Sequence, residues 1–451
     1  MNAKSPTQRV ESEISKHQRN LVDLCLEEGQ YESAIDVLAQ LRSPNHKPSA
    51  THIRQLLFMA LYSSSDRGQD KRVDPSASPS KRQKKSHLLP SLAATLASQQ
   101  LLISFVTTNS PAAVIRPLRP GDPELEDDNE CFVATESMCI SRCKNCWQIL
   151  VEGFLDRNQP ILSTPKGKGK RRDVDASFTD LSEVRAPVGD TAWPVLDWLL
   201  LLFERDEREN PTLPRHSPLL LEQLGSQSRR DTDAPLAIIL HCMQQSDLRR
   251  RMMGSRLISL LINLSSTTHL DFPMLVVSVF NCLSTSSLDD ISSLLSNLSP
   301  TPAVSKFKVA LYQKYFSDSS NAPRVGVRPK PQARAQPKGS PVKLPDPPAQ
   351  PVSLVNKHRA PSSAEILRLM GSKPSTSVNP TASPFRIKFE LLVSYNAFQT
   401  GAAKADGDPE WPNLLRDGTM AKTLDTAFGC KGEPAGDGTN YRILLDTILT
   451  M

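Results

Sequence analysis

The stretch Leu21–Leu41, "LVDLCLEEGQYESAIDVLAQL", decides the fold class. In its second half Tyr31, Ala34, Ile35, Leu38 and Leu41 recur at the three- and four-residue steps of a helix face. In its first half Leu21, Cys25 and Glu28 line up along another helix. Gly29 falls between them. Glycine tolerates a left-handed backbone, so it ends the first helix and starts the turn. The stretch therefore reads as two helices joined by a tight turn. A third helix follows over Ser49–Tyr62, "SATHIRQLLFMALY".

The run Gly29-Gln30-Tyr31-Glu32-Ser33-Ala34-Ile35 resembles the turn and second helix of a tetratricopeptide repeat. The resemblance covers about residues 17–42 and occurs once, with no second copy at a 34-residue period. It implies a helical hairpin and not an array of repeats.

Outward from the hairpin, apolar helical blocks alternate with polar tracts. The chain has 451 residues, 37 prolines and 5% aromatics, a composition that suits helical blocks strung on disordered linkers. We read residues 1–63 as the hairpin region and 64–87 as a basic linker. Residues 88–155 complete the N-terminal block, and 156–190 form a second basic linker. Residues 191–317 read as a helical-repeat-like domain, 318–383 as a proline-rich basic linker, and 384–451 as a poorly structured tail. Within 191–317, helices are expected at about 192–203, 217–226, 234–245, 247–265, 272–284, 287–298 and 303–316. Thr191, Asp233, Ser246 and Asp271 are their expected caps. Short joints between helices of this length suit an armadillo- or HEAT-like stack. The fold class is thus all-α.

Between Ser319 and Ala364 there are ten prolines, eight lysines or arginines and a single acid, Asp346. A short helix, "SAEILRLMG", follows it. "PFRIKFELLVSY" (Pro384–Tyr395) has the pattern of a strand. Bases at the start of an intron could encode Val393-Ser394-Tyr395, and if residues after about 392 came from a gene-model error they would be left out of the fold reading.

The N-terminus has no apolar run of the signal-peptide kind. The most apolar stretch, "AWPVLDWLLLLF" (Ala192–Phe203), is shorter than the roughly 20 residues a membrane helix needs. These features point to an intracellular protein with reduced thiols and no membrane partner.

The net charge of +6 is concentrated in patches. Lys81, Arg82, Lys84 and Lys85 form one cluster. Lys166, Lys168, Lys170, Arg171 and Arg172 form another. Short basic runs of this kind fit an importin groove and predict nuclear localisation. Neither contains an aromatic residue to stack on bases, so nucleic acid is the less favoured partner. Ser78, Thr164 and Ser340 precede prolines beside basic residues, a pattern that cyclin-dependent kinases prefer. A phosphate on Ser78 or Thr164 would add about −1.5 to −2 charge beside an import cluster.

The helix near Asp247 carries Arg249, Arg250, Arg251 and Arg256. With Leu248, Met252, Leu257, Leu260, Leu261 and Leu264 facing inward, these arginines would form an exposed basic end. It is either a solvated face or a contact for an acidic partner, including the acidic loop 122–130.

Cys131, Cys139, Cys143 and Cys146 fall within sixteen residues. They form either a zinc set or the buried stripe of one helix over "ATESMCISRCKNCWQILVEGFL" (Ala134–Leu155), capped by Thr135 or Ser137. No glycine or proline bends the chain between the cysteines, and no histidine lies among them, which favours the stripe.

No nucleophile elbow, phosphate loop, dinucleotide fingerprint or paired-histidine zinc motif occurs in the chain. His241 reads as a core residue. The expected function is a non-enzymatic nuclear scaffold or adaptor without a cofactor, associated with chromosome maintenance or cell-cycle control. The alternative is a nucleic-acid-associated protein using the basic clusters and the arginine helix.

Overall fold

In the computed structural model the hairpin begins at Ser15. Its hydroxyl caps the Gln18 N–H, and the Gln18 side chain accepts from the Ser15 N–H. Such a reciprocal pair satisfies two donors that a helix start leaves open. The structure describes residues 11–63, 89–119, 131–157, 185–212, 214–225, 231–284, 286–316, 360–373, 383–401, 407–429 and 437–450. Apart from two short strands, β1 (Ser12–Glu13) and β2 (His46–Lys47), which pair in parallel, these residues form helices and the turns between them. The fold is all-α.

Helices α1 (Lys16–Glu27) and α2 (Tyr31–Leu41) form the hairpin. Gly29 sits in the left-handed region at φ 73°, as the turn requires. The α1 face differs from the expected one. Val22 and Leu26 are buried, while Leu21 and Leu24 are about half exposed. Helix α1 packs on α2, and the buried His52 of α3 (Ala50–Leu61) places Nε2 2.9 Å from the Asp23 carboxylate.

The chain divides into two compact units. Met1–Asp271 with Ser293–Leu298 make one, and Phe272–Ser292 with Ser299–Met451 the other. The division does not follow the sequence-based boundary at residue 191, because the helices expected over 191–317 are split between the units.

In the first unit α3 is buried on nearly every side. It lies against α4 (Leu92–Thr108) and α6 (Phe132–Ser141), the latter reached after the short α5 (Pro111–Val114). Arg54 of α3, fully buried, donates from Nε to the Ser137 hydroxyl of α6. Past the 3₁₀ turn Cys146–Leu150 and the single-turn α7 (Phe154–Arg157) comes α8 (Trp193–Glu209). It buries Trp193, Leu196, Trp198, Leu199, Leu202 and Phe203. Arg205 of α8 donates to the carbonyls of Val106 and Asn109 at the end of α4, where helix carbonyls lack partners. Thr191 does not cap α8. Its hydroxyl donates to the Leu61 carbonyl, and a 3₁₀ turn from Asp190 leads into the helix.

Helices α9 (Pro218–Gln223), α10 (Asp233–Met243) and α11 (Leu248–Ser265) complete this unit. Asp247, not Ser246, caps α11 by accepting from the Arg249 N–H, and Thr232, not Asp233, precedes α10. A Cβ on Gly254 would lie 2.9 Å from the Cys242 Cβ, so α10 and α11 approach closely at this glycine.

The second unit contains α12 (Phe272–Leu283) and α14 (Pro302–Lys314), with the first half of α13 (Leu288–Ser296). Then come α15 (Ser363–Gly371) and α16 (Pro384–Gly401). The expected strand over Pro384–Tyr395 is the start of α16. Its buried Ile387, Leu391, Tyr395 and Phe398 recur at helix spacing, and α16 packs along α14. The expected unstructured tail instead supplies α17 (Trp411–Arg416), α18 (Thr419–Phe428) and α19 (Asp437–Thr450). Trp411 stacks edge-on against Tyr395 with ring centroids 4.9 Å apart. No described helix is long and apolar enough to cross a membrane.

Candidate functional site

The four arginines of α11 do not form a free basic end. Arg256 donates to Glu204 at 2.6 and 2.9 Å and to Asp197 at 2.5 Å, both carboxylates on the facing side of α8. Arg249 shares Asp197 at 2.9 Å. Arg250 lies 4.7 Å over the Trp193 ring, whose other neighbour His241 stacks at 5.5 Å. Its pairing with the exposed Asp190 is longer, 3.7 Å. Arg251 is half-buried. The carboxylates spaced along α8 at Asp197 and Glu204 are seven residues apart, two turns of one face, which matches the seven-residue step from Arg249 to Arg256. The sequence holds this complementary spacing, but only the pairing of α8 with α11 makes it meaningful. The apolar face also differs from the expected one. Leu248 and Met252 are 57% and 47% exposed, while Leu257, Leu260, Leu261 and Leu264 are buried.

The cysteines do not lie on a single helix. Cys131 is the N-cap of α6, its sulfur accepting from the Ala134 N–H, and the helix ends at Ser141. The chain turns between Cys139 and Cys146 without glycine or proline because side chains replace the lost helical bonds. Gln148 Oε1 accepts from the Lys144 N–H at 3.1 Å, and Gln223 Oε1 from the Cys146 N–H at 2.7 Å. Gln223 comes from α9, 77 residues away. All four cysteines are buried. Burial pushes the Cys139 thiol up to about 11 and Cys143 to about 12, and raises Cys146 well above its ordinary value. Thiols held protonated in this way are poor nucleophiles. Among the described residues no three metal-binding side chains converge.

Lys81, Arg82, Lys84, Lys85, Lys166, Lys168, Lys170, Arg171, Arg172, Ser78, Thr164 and Ser340 lie outside the described residues. So does the acidic loop 122–130.

The second unit holds a groove that the sequence reading missed. It lies between α12, α14 and α15 and encloses about 290 Å³. Pro273, Val276, Ala310, Phe316 and Leu369 supply its apolar surface, and Gln313, Lys314, Glu365 and Arg368 its polar one. The Gln313 amide donates to Glu365 at 3.4 Å. Among the described residues Lys314 and Arg368 make no ion pair.

The groove wall α15 is held at its start by Asp408. This carboxylate accepts from the Ser363 N–H at 2.6 Å, the Glu410 N–H at 3.0 Å and the Tyr395 hydroxyl at 3.4 Å. Burial pushes the Asp408 carboxyl upward, but the bonds from Ser363 and Glu410 outweigh it and hold it below the usual carboxylate range. Ser362 completes the cap by accepting from the Glu365 N–H. The sequence signal for the groove was Ser362 before "SAEILRLMG", a cap followed by an amphipathic helix with one cation, Arg368, in its last turn.

No protein-family model, no curated protein and no solved structure matches this chain.

Proposed function

We propose that the protein is a non-enzymatic scaffold or adaptor that binds other proteins through surfaces between packed helices. The observation that carries this reading is the open groove between α12, α14 and α15, walled by three helices that the Asp408 network and the α14–α16 packing hold in place. A helical wall beside a solvent-open groove of mixed polar and apolar lining suits recognition of a peptide or helix. The basic clusters at Lys81–Lys85 and Lys166–Arg172 support nuclear import through an importin. Ser78 and Thr164, each beside a cluster, support its control by phosphorylation, and Ser340 supplies a third such site. This pairing suggests work in chromosome maintenance or the cell cycle.

The nucleic-acid reading is the less favoured one, because Arg249 and Arg256 pair with Asp197 and Glu204. Affinity purification from dividing cells tests the proposal. Reproducible protein partners are expected. A chain that captures none, and instead binds DNA with an affinity falling steeply with salt, would overturn it. Replacing Lys81, Arg82, Lys84 and Lys85 together with Lys166, Lys168, Lys170, Arg171 and Arg172 by alanine should move a fluorescent fusion out of the nucleus.

A further inference from the structure

The groove's own chemistry narrows what can sit in it. At about 290 Å³ it lies at the lower edge of the roughly 300–1,000 Å³ typical of small-molecule sites. None of its polar side chains is buried, whereas a small ligand is oriented by buried polar groups. Its apolar surface comes from three helices: Val276 on α12, Ala310 on α14 with Phe316 just past its end, and Leu369 on α15. Val276, Ala310 and Leu369 are buried at its base, Val276 at 2% exposure. That arrangement accepts a few apolar side chains from a chain lying across it.

The charge at its edge is net positive, two cations against the single carboxylate of Glu365. Lys314 and Arg368 stand in the last turns of α14 and α15. A helix C-terminus favours a cation by about 0.3–1 kcal/mol, which leaves most of the charge unneutralised. Among the described residues neither has an ion pair, in contrast to Arg249 and Arg256 of α11. The one acid of the groove, Glu365, accepts the Gln313 amide. Two open cations beside an apolar base are complementary to carboxylates flanking apolar side chains.

We infer that the groove between α12, α14 and α15 is the docking site for an acidic, amphipathic peptide segment of a partner protein, with Lys314 and Arg368 receiving its carboxylates. The inference rests on the scaffold reading and gives that reading a partner chemistry. Lys314 and Arg368 then set which segment is accepted, and Val276, Ala310 and Leu369 set how deeply it seats.

Fluorescence anisotropy on the full chain tests this. The probe is a short fluorescein-labelled peptide with leucines at helical spacing and glutamates between them. The comparison probe has lysines in place of the glutamates. The wild-type chain should bind the acidic probe, more weakly as salt rises, and reject the basic one. In the double variant Lys314→Glu, Arg368→Glu, affinity for the acidic probe should fall by about tenfold or more and the basic probe should bind instead. Both positions are outside the core, and an unchanged thermal midpoint verifies the fold. Failure of the wild-type chain to bind the acidic probe, or equal binding by the double variant, overturns the inference. Capture from dividing cells separates the two readings. If the double variant captures the same partners as wild type, the groove assignment falls and the scaffold stands. If wild type captures no protein, the scaffold reading falls and the groove assignment falls with it.

Discussion

The seam between α8 and α11 and the groove between α12, α14 and α15 both display cations, yet they use them in opposite ways. In the seam Arg256 lies between two carboxylates, and Asp197 and Glu204 are 13% and 30% exposed. In the groove Lys314 is half-buried, Arg368 is exposed, and neither forms an ion pair among the described residues. A partly desolvated pair contributes to stability, and losing one member strands the other's charge. An unpaired exposed cation contributes almost nothing to stability but a great deal to the choice of partner. The count of arginines on α11 therefore says little about binding, and the two cations at the groove say more.

The comparison breaks first at Arg256. Arg256→Ala leaves Asp197 and Glu204 without their shared partner. It should lower unfolding free energy by about 2–3 kcal/mol, somewhat below a fully buried pair because the site keeps some solvent. Chemical denaturation checks this, and a loss near zero would put the seam in the same class as the groove. Next in size is the double charge reversal at Lys314 and Arg368. It should change acidic-peptide affinity by about tenfold while moving stability by less than about 0.5 kcal/mol.

Asp408→Ala should follow, at about 1 kcal/mol, by removing the acceptor for the Ser363 N–H at the start of α15. Its pH dependence has a definite sign. The folded carboxyl titrates below the unfolded value of about 3.9, so its contribution is complete above that pH. That contribution disappears as pH falls through the lower, folded value. Thermal midpoints of wild type and Asp408→Ala should therefore converge in acid and separate toward neutrality. The smallest effect belongs to Arg249→Ala. That side chain is 77% exposed, and Asp197 keeps Arg256, so a loss under about 0.5 kcal/mol is expected in the same denaturation series.

Parts of this molecule were legible from local signals. Gly29 ends α1 because its left-handed backbone is a property of one residue. Ser362 caps α15 because capping involves only three neighbours. The all-α class follows from apolar spacing repeated along the chain. Elsewhere the local pattern misled. "PFRIKFELLVSY" alternates like a strand, but Ile387, Leu391, Tyr395 and Phe398 also share one helix face, and packing on α14 selects that face. The cysteine stretch has no helix breaker, yet it breaks, because Gln223 from another helix meets the Cys146 N–H.

The amino-acid order by itself determined where helices could start and stop, which residues were apolar enough to be buried, and where basic clusters lie. Those properties depend on neighbours within one or two turns. Only the tertiary structure decided which cations are spent inside and which remain open. An arginine's role depends on the carboxylate that arrives beside it, and Asp197 and Glu204 reach α11 from more than forty residues away. The groove was decided in the same way. Its walls come from helices separated in the chain and become one surface only when α12, α14 and α15 pack together.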